Sequence, residues 1–370
     1  MEYEILARTL LMQQRSRYPK GEVNDCIKAL YQAAFGCGHF VESEQTACEG
    51  LHVEMERARE NGAPLVEPIG DRYARVHLPA FRACGADEAT LARLFVRTSR
   101  EAPDAARSAL FQAGLDALVR LSEAGELALD AQAVAARVAD YRAQGCPAQH
   151  HTQAFRTAYS PAYRVVRRDW AQLLPLFARI DALRAARGRV LVAIDGMSAS
   201  GKTTLARLLE DIYGTQALHM DDFFLQPHQR TPERLAQPGG NVDYERFEKE
   251  VLSPLRAGEV FDYRPYDCGT QTIRPAQRRT APAVAIIEGA YSLHPALAEA
   301  YDLRVMLKID GAAQRERIDR RNGAAMLDRF VNEWIPLEHR YFEGTKLESR
   351  CDMIWRVTPG QALADYAQEV

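Results

Sequence analysis

Through the first 160 residues apolar side chains recur three and four positions apart, whereas beyond Arg189 they gather into short unbroken runs. In "NDCIKALYQAAFGCGHF" the positions Cys26, Ile27, Leu30 and Ala34 share a helical spacing behind an Asn/Asp cap signal. "DEATLARLFVRTS", "DAARSALFQAGLDALVRLSEAG" and "DAQAVAARVADYRAQG" repeat that pattern, each opening on an acid and most ending near a glycine. "PLVEPIGDRYARVHLPAF" breaks it with prolines and alternating apolar residues, which predicts a short hairpin. "HHTQAFRTAYSPAYRVV" reads as a docking or linker segment. The helix "DWAQLLPLFARIDALRAARG" follows, closed by Gly188.

After Arg189 the runs "RVLVAID", "TQALHM", "AVAIIEG", "DLRVMLKID" and "CDMIWRV" alternate with helical stretches. That alternation predicts an α/β unit, a parallel sheet covered by flanking helices. The expected organisation is a mostly helical domain over 1–165, a connecting helix over 166–188 and the α/β domain over 189–370. A length of 370 residues accommodates two cores.

Composition narrows the choices. With 47% hydrophobic and 26% charged residues and a net charge of −3, the chain has an ordinary soluble profile and no electrostatic reason to bind nucleic acid. The basic run "RVVRRDW" is short and reads as a solvated helix end. No window approaches the ~18 uninterrupted apolar residues of a membrane span. The amino terminus, "MEYEILARTLLMQQRSR", carries early acids and no cleavage-type segment, so a signal peptide is not expected. Seven cysteines occur without a C-x-x-C pair, and Cys26, Cys37, His39 and Cys48 match no common zinc spacing. Reduced thiols and a cytoplasmic location are the expectation. His39, His150 and His151 read as packing residues, and residues 1–160 show no catalytic constellation.

The chemistry concentrates in "GMSASGKT", Gly196 to Thr203, which fits G-x-x-x-x-G-K-[ST] between a strand and a helix. Glycines let successive N–H groups turn inward onto phosphate oxygens, so Gly196, Ser198, Ala199, Ser200, Gly201, Lys202, Thr203 and Thr204 form the candidate nucleotide site. Lys202 supplies charge to the β- and γ-phosphates, Thr203 offers a hydroxyl to Mg²⁺, and the helix adds its positive end. The loop alone does not separate kinases from switches. "TQALHMDDFFLQP" bears on that choice: a carboxylate at the carboxyl end of the neighbouring strand, Asp221, faces the same crevice and can take or orient the proton of an attacking hydroxyl.

"GMSASGKTT", "HMDDFF", "IIEGAY" and "RERIDRRNG", in that order, resemble the uridine kinase/phosphoribulokinase group of P-loop kinases, and "DDFF-x-P" is similar to nicotinamide riboside kinases. The resemblance covers about residues 189–357. It implies an NMP-kinase-like fold, ATP with Mg²⁺ as donor and a small-molecule alcohol, nucleoside-like, as acceptor. Asp221 matches the family's catalytic Asp, whereas Asp222 stands where many uridine kinases have Ser. Glu288 matches the Glu of the "EG" motif, a ligand of Mg²⁺ or of the acceptor sugar. Arg317 and Arg320 match the arginine-rich lid that clamps the transferring phosphoryl group, and Arg321 departs from the usual Asp.

The segment Gln226 to Pro282 is long for a connection and should be functional. "QPGGNVDYERF" resembles the family's Asp-His-Pro stretch. Asp243 thereby matches the residue that holds ribose hydroxyls, with Tyr244 beside it. In "FDYRPYDC" the residues Tyr263, Arg264, Tyr266 and Asp267 combine aromatic faces with both charges, as a flat polar ligand requires. Together with Asp222 and Phe224 these make the candidate acceptor site. The His-Ser-Arg expected after "YD" is absent, leaving Arg274 as its one counterpart. Two other readings stay open: a kinase of a sugar or pantothenate-like alcohol, and an ATP-binding regulator whose helical half senses a ligand or partner.

Overall fold

The computed structural model describes residues 2–38, 41, 43–357 and 367–369, so His39 lies outside the described residues. The chain divides into two compact units, Met1–Ala178 and Arg179–Val370.

In the first unit the helices Glu2–Arg17, Val23–Phe35, Ala105–Glu123 and Ala131–Ala143 close over Leu11, Ile27, Leu30, Leu115, Leu118 and Val134. The acids that open the predicted helices act as caps: Asp87, Asp104 and Asp130 accept from the backbone N–H groups of Ala89, Arg107 and Ala133. The second helix differs. Its N-cap is Glu22, and Asp25, its third residue, accepts from the Glu22 N–H at 2.9 Å.

The predicted hairpin is present as β1 (Val66–Ile69) and β2 (Tyr73–His77). The segment read as docking or linker is itself folded. It folds as the helix Gln153–Tyr159 and a third strand, β3 (Tyr163–Arg167), antiparallel to β2. All five residues of β2 are buried, so its second edge needs a partner, and a strand about ninety residues away supplies it. The helix expected next is two helices, Arg168–Ala171 and Leu174–Arg187, with Pro175 in the first turn of the latter.

The second unit is built on β4 (Val190–Gly196), β5 (Leu218–His219), β6 (Val284–Glu288), β7 (Leu303–Ile309), β8 (Met353–Val357) and β9 (Ala367–Glu369). Their order is β9-β8-β7-β4-β6-β5, and the five strands β5-β6-β4-β7-β8 are parallel. β4 is buried along its whole length and β6 likewise, as apolar runs covered on both faces should be. Because β6 lies between β4 and β5, the loops leaving those three strands open onto one crevice.

Residues 226–282 form a small lobe rather than a loop. It holds the short helix Pro232–Ala236, helical turns over 244–257, and a hairpin of Val260–Tyr263 with Gln277–Thr280. A smaller pair, Tyr266–Asp267 with Thr272–Ile273, carries the rest.

Candidate active site

β4 ends at Gly196, whose φ of +137° turns the chain against the backbone of Leu307. Ala199 and Gly201 also have positive φ, +60° and +100°, and Gly201 caps the helix Lys202–Tyr213. The loop therefore curls around the helix start, the geometry that gathers N–H groups for an oxyanion. Lys202 lays its ammonium across the curl, donating to the carbonyls of Gly196 at 2.8 Å and Met197 at 3.0 Å. Thr203 Oγ1 donates to Glu288 Oε1 at 3.2 Å, while Thr204 is exposed on the same first turn.

Glu288, buried at the end of β6, also accepts from His219 Nδ1 at 2.7 Å. That hydrogen bond raises the imidazole's pKa. Two residues on, Asp221 is open to solvent but crowded by protein atoms. Desolvation pushes its carboxyl up, Lys202 pulls it down, and Glu288 pushes it up again; the net shift is upward. Lys202, Glu288 and His219 thus all act electrostatically on Asp221. Asp222 also has a raised carboxyl, chiefly through burial, while a hydrogen bond from Tyr263 opposes the shift.

The remaining acceptor candidates are engaged with protein. Phe224 bridges to Val242, and Asp243 is buried with Gln229 donating to it at 2.8 Å and the Arg246 N–H at 3.0 Å. Asp243 is thereby a helix cap and one side of an ion pair with Arg246. Tyr244 has both faces covered, by His294 stacked at 4.0 Å and by the Arg234 guanidinium at 4.2 Å, so no ring face is left for a ligand. Arg264 points to Glu250, and the Tyr266 hydroxyl accepts from Arg230 at 2.9 Å. These residues shape the lobe. Of the arginines, Arg317 reaches the carbonyl of Ala199 at 3.3 Å, whereas Arg320 is exposed and pairs with Glu316.

Sequence reasoning missed three residues that hold the loop. Asp195, fully buried, accepts from the N–H groups of Gly196 at 2.6 Å, Tyr291 at 3.2 Å and Leu293 at 2.9 Å, and from the Tyr341 hydroxyl at 2.9 Å. Burial pushes its carboxyl up to about 6 against those hydrogen bonds. Glu338 accepts from the N–H and the hydroxyl of Ser198, and Gln314 donates to the Ser198 carbonyl at 3.1 Å. Only an acid at the end of the loop strand hinted at the first of these. Asp195→Ala strands four donors at once and should cost at least ~3 kcal/mol. Urea unfolding measures this, and a change under ~0.5 kcal/mol would refute the role.

Thr203 Oγ1 and Glu288 Oε1, with Asp221 in electrostatic reach, could hold a Mg²⁺ that completes its shell with water and phosphate oxygens. Among the described residues no cluster of three His, Cys, Asp or Glu side chains could hold a metal ion. Nor is any described helix long and apolar enough to cross a membrane.

No family model matches the chain. It is 25% identical over 175 residues to nicotinamide riboside kinase of Eremothecium gossypii, covering 41% of this chain and 72% of that one. It is 29% identical over 139 residues to uridine-cytidine kinase C of Dictyostelium discoideum, covering 35% of this chain and 30% of that one. A possible uridine kinase from Bacillus stearothermophilus superposes with a TM-score of 0.36 at 24% identity, over 48% of this chain and 98% of that one. A putative fructose transport system kinase from Silicibacter sp. TM1040 gives 0.36 at 23%, over 46% and 90%. With its phosphate loop on a five-stranded parallel sheet, the second unit of this chain is similar to these nicotinamide riboside and uridine-cytidine kinases and has a uridine kinase-like P-loop architecture.

Proposed function

We propose that the chain transfers the γ-phosphate of ATP to a hydroxyl of a nucleoside-like small molecule. The observation that supports this reading is the electrostatic action of Lys202 and Glu288 on Asp221, together with the hydrogen bond of Thr203 to Glu288. A switch or sensor needs the phosphate loop but not a carboxylate placed beside it to receive a proton.

In this reading the main chain from Gly196 to Thr204 cradles the phosphates and Lys202 turns from the loop carbonyls to the β- and γ-oxygens. Thr203 and Glu288 would hold Mg²⁺, which when bound would supply charge neutralisation on the transferring group. Asp221 orients the acceptor hydroxyl in line and accepts its proton. Arg317, already leaning on the loop, faces the developing charge, and Arg320 follows from the next turn. Asp222 and Phe224 flank the acceptor. Asp243, Tyr244, Arg264 and Tyr266 act at one remove by fixing the lobe.

A panel of alcohols, nucleosides first, tests the reading by acceptor-dependent ADP release. Release that rises with one acceptor class supports it, and release indifferent to every acceptor overturns it. The pH profile adds a second check. Asp221 must be ionised to accept a proton, and its pKa is raised, so kcat/KM should fall as pH drops through a midpoint above the ordinary aspartate value of ~3.9. An acid limb at the ordinary value would contradict that placement.

A further inference from the structure

In the first unit the sheet β1-β2-β3 buries polar groups where apolar ones are the norm. Register sets Glu67 opposite Arg75 and His77 opposite Tyr163, and the two-residue alternation puts all four on one face. Arg75 is 0% exposed, and Glu67 and His77 are 3% exposed. Arg75 donates to Glu67 at 2.9 Å, to Gln32 at 2.7 Å and to Gln14 at 3.3 Å, and its guanidinium lies 5.0 Å from the Tyr163 ring centre. His77 and Tyr18 donate to the other Glu67 oxygen.

A relay adjoins this cluster. Asp25 accepts from His151 Nδ1 at 2.8 Å, and His151 Nε2 accepts from the Tyr163 hydroxyl at 2.6 Å. Gln32 donates to the same hydroxyl at 3.1 Å.

Apolar residues of equal volume would usually fill such a space at no loss of stability, so the network's retention calls for another reason. Two signs point to a missing partner. Among the described residues Gln14 Nε2, a donor, and His77 Nδ1, left as an acceptor by the Nε2 donation, meet none, although both side chains are more than nine-tenths buried. Lys28, half-buried beside the relay, donates to the Gln149 carbonyl at 2.7 Å and forms no ion pair among the described residues. Arg75 and Arg156 act on it as like charges, and Asp25, the carboxylate that favours its charge, is already claimed by His151 and Thr152. Burial first, then Arg75, brings its ammonium down to about 8.

We propose that this face of the first unit binds a small metabolite through an oxyanion, a phosphate ester or a carboxylate, with Lys28 as its counter-charge and His151 and Tyr163 at its side. The buried Arg75 network sets the position of those groups. This site is independent of the kinase reading.

The test is acetylation of the full chain with acetic anhydride near pH 8, read per lysine by mass spectrometry, with inorganic phosphate, citrate or chloride at equal ionic strength. Lys28 modification should fall at least about fivefold with phosphate or with citrate, as an occupancy of about four-fifths requires, and not with chloride. Which of the two anions protects distinguishes a phosphate site from a carboxylate site. Lys202 in the same digest reports the phosphate loop separately, and the Lys202→Ala chain should keep Lys28 protection. As a second measurement, the protecting anion should raise the melting temperature of the Lys202→Ala chain but not of the Lys28→Gln, Lys202→Ala double variant. Equal Lys28 labelling with all three salts, or equal melting shifts in the two variants, overturns the proposal.

Discussion

Asp221→Asn is expected to cut acceptor-dependent ADP formation at least ~100-fold, the loss typical when a positioned base is removed. The amide is nearly the same size, so the turn Met220–Phe223 and its packing are kept while the proton acceptor is lost. The KM for ATP should change little, because in the proposed reading the phosphates are met by the loop and Lys202. Both kcat and kcat/KM should fall together, the signature of an interaction made in the transition state. A variant with near-normal turnover would show that the hydroxyl needs no base here, or that another group serves it.

Gly196→Ala should be as severe for folding as the first change is for turnover. A methyl group there would sit 2.0 Å from the Leu307 carbonyl oxygen and 2.8 Å from its backbone nitrogen, at a φ of +137° that L side chains rarely adopt. β4 and β7 are hydrogen-bonded neighbours at this point, so neither can retreat without breaking the sheet. The cost should exceed ~4 kcal/mol, lowering the melting temperature of the second unit by ~10 °C or more. Melting within a few degrees of the parent would mean that the strand ends are looser than their register implies.

The strands of the second unit were legible because parallel strands buried on both faces appear as unbroken apolar runs, and "RVLVAID" and "AVAIIEG" did so. The phosphate loop was legible because its chemistry is local: one stretch supplies glycines, cation and hydroxyl. What escaped was the part assembled from distant pieces. Asp195 reads as a strand end until Tyr291, Leu293 and Tyr341 are seen to converge on it. Tyr244 was placed at the acceptor site beside Asp243, yet Arg234 and His294, ten and fifty residues away in sequence, use both its faces. In the first unit β3 fell within a segment read as docking or linker, because strand pairing over ninety residues leaves no local trace. The face it completes, with Arg75 and His151 drawn from separate elements, left none either.

The helix Ile335–Thr345 is pinned to the crevice floor at two points one turn apart, Glu338 on Ser198 and Tyr341 on Asp195. Just before it the chain widens into the looser π-turn Phe330–Trp334, a form common where helices bend. A swing of the arginine-bearing stretch 311–329 would have to bend the chain at this pivot and release Gln314 and Arg317 from the loop. The Ser198 amide is also a donor already spent on a carboxylate. An arriving triphosphate therefore either leaves that mooring intact and gains one fewer contact, or displaces Glu338 and sets the pivot loose.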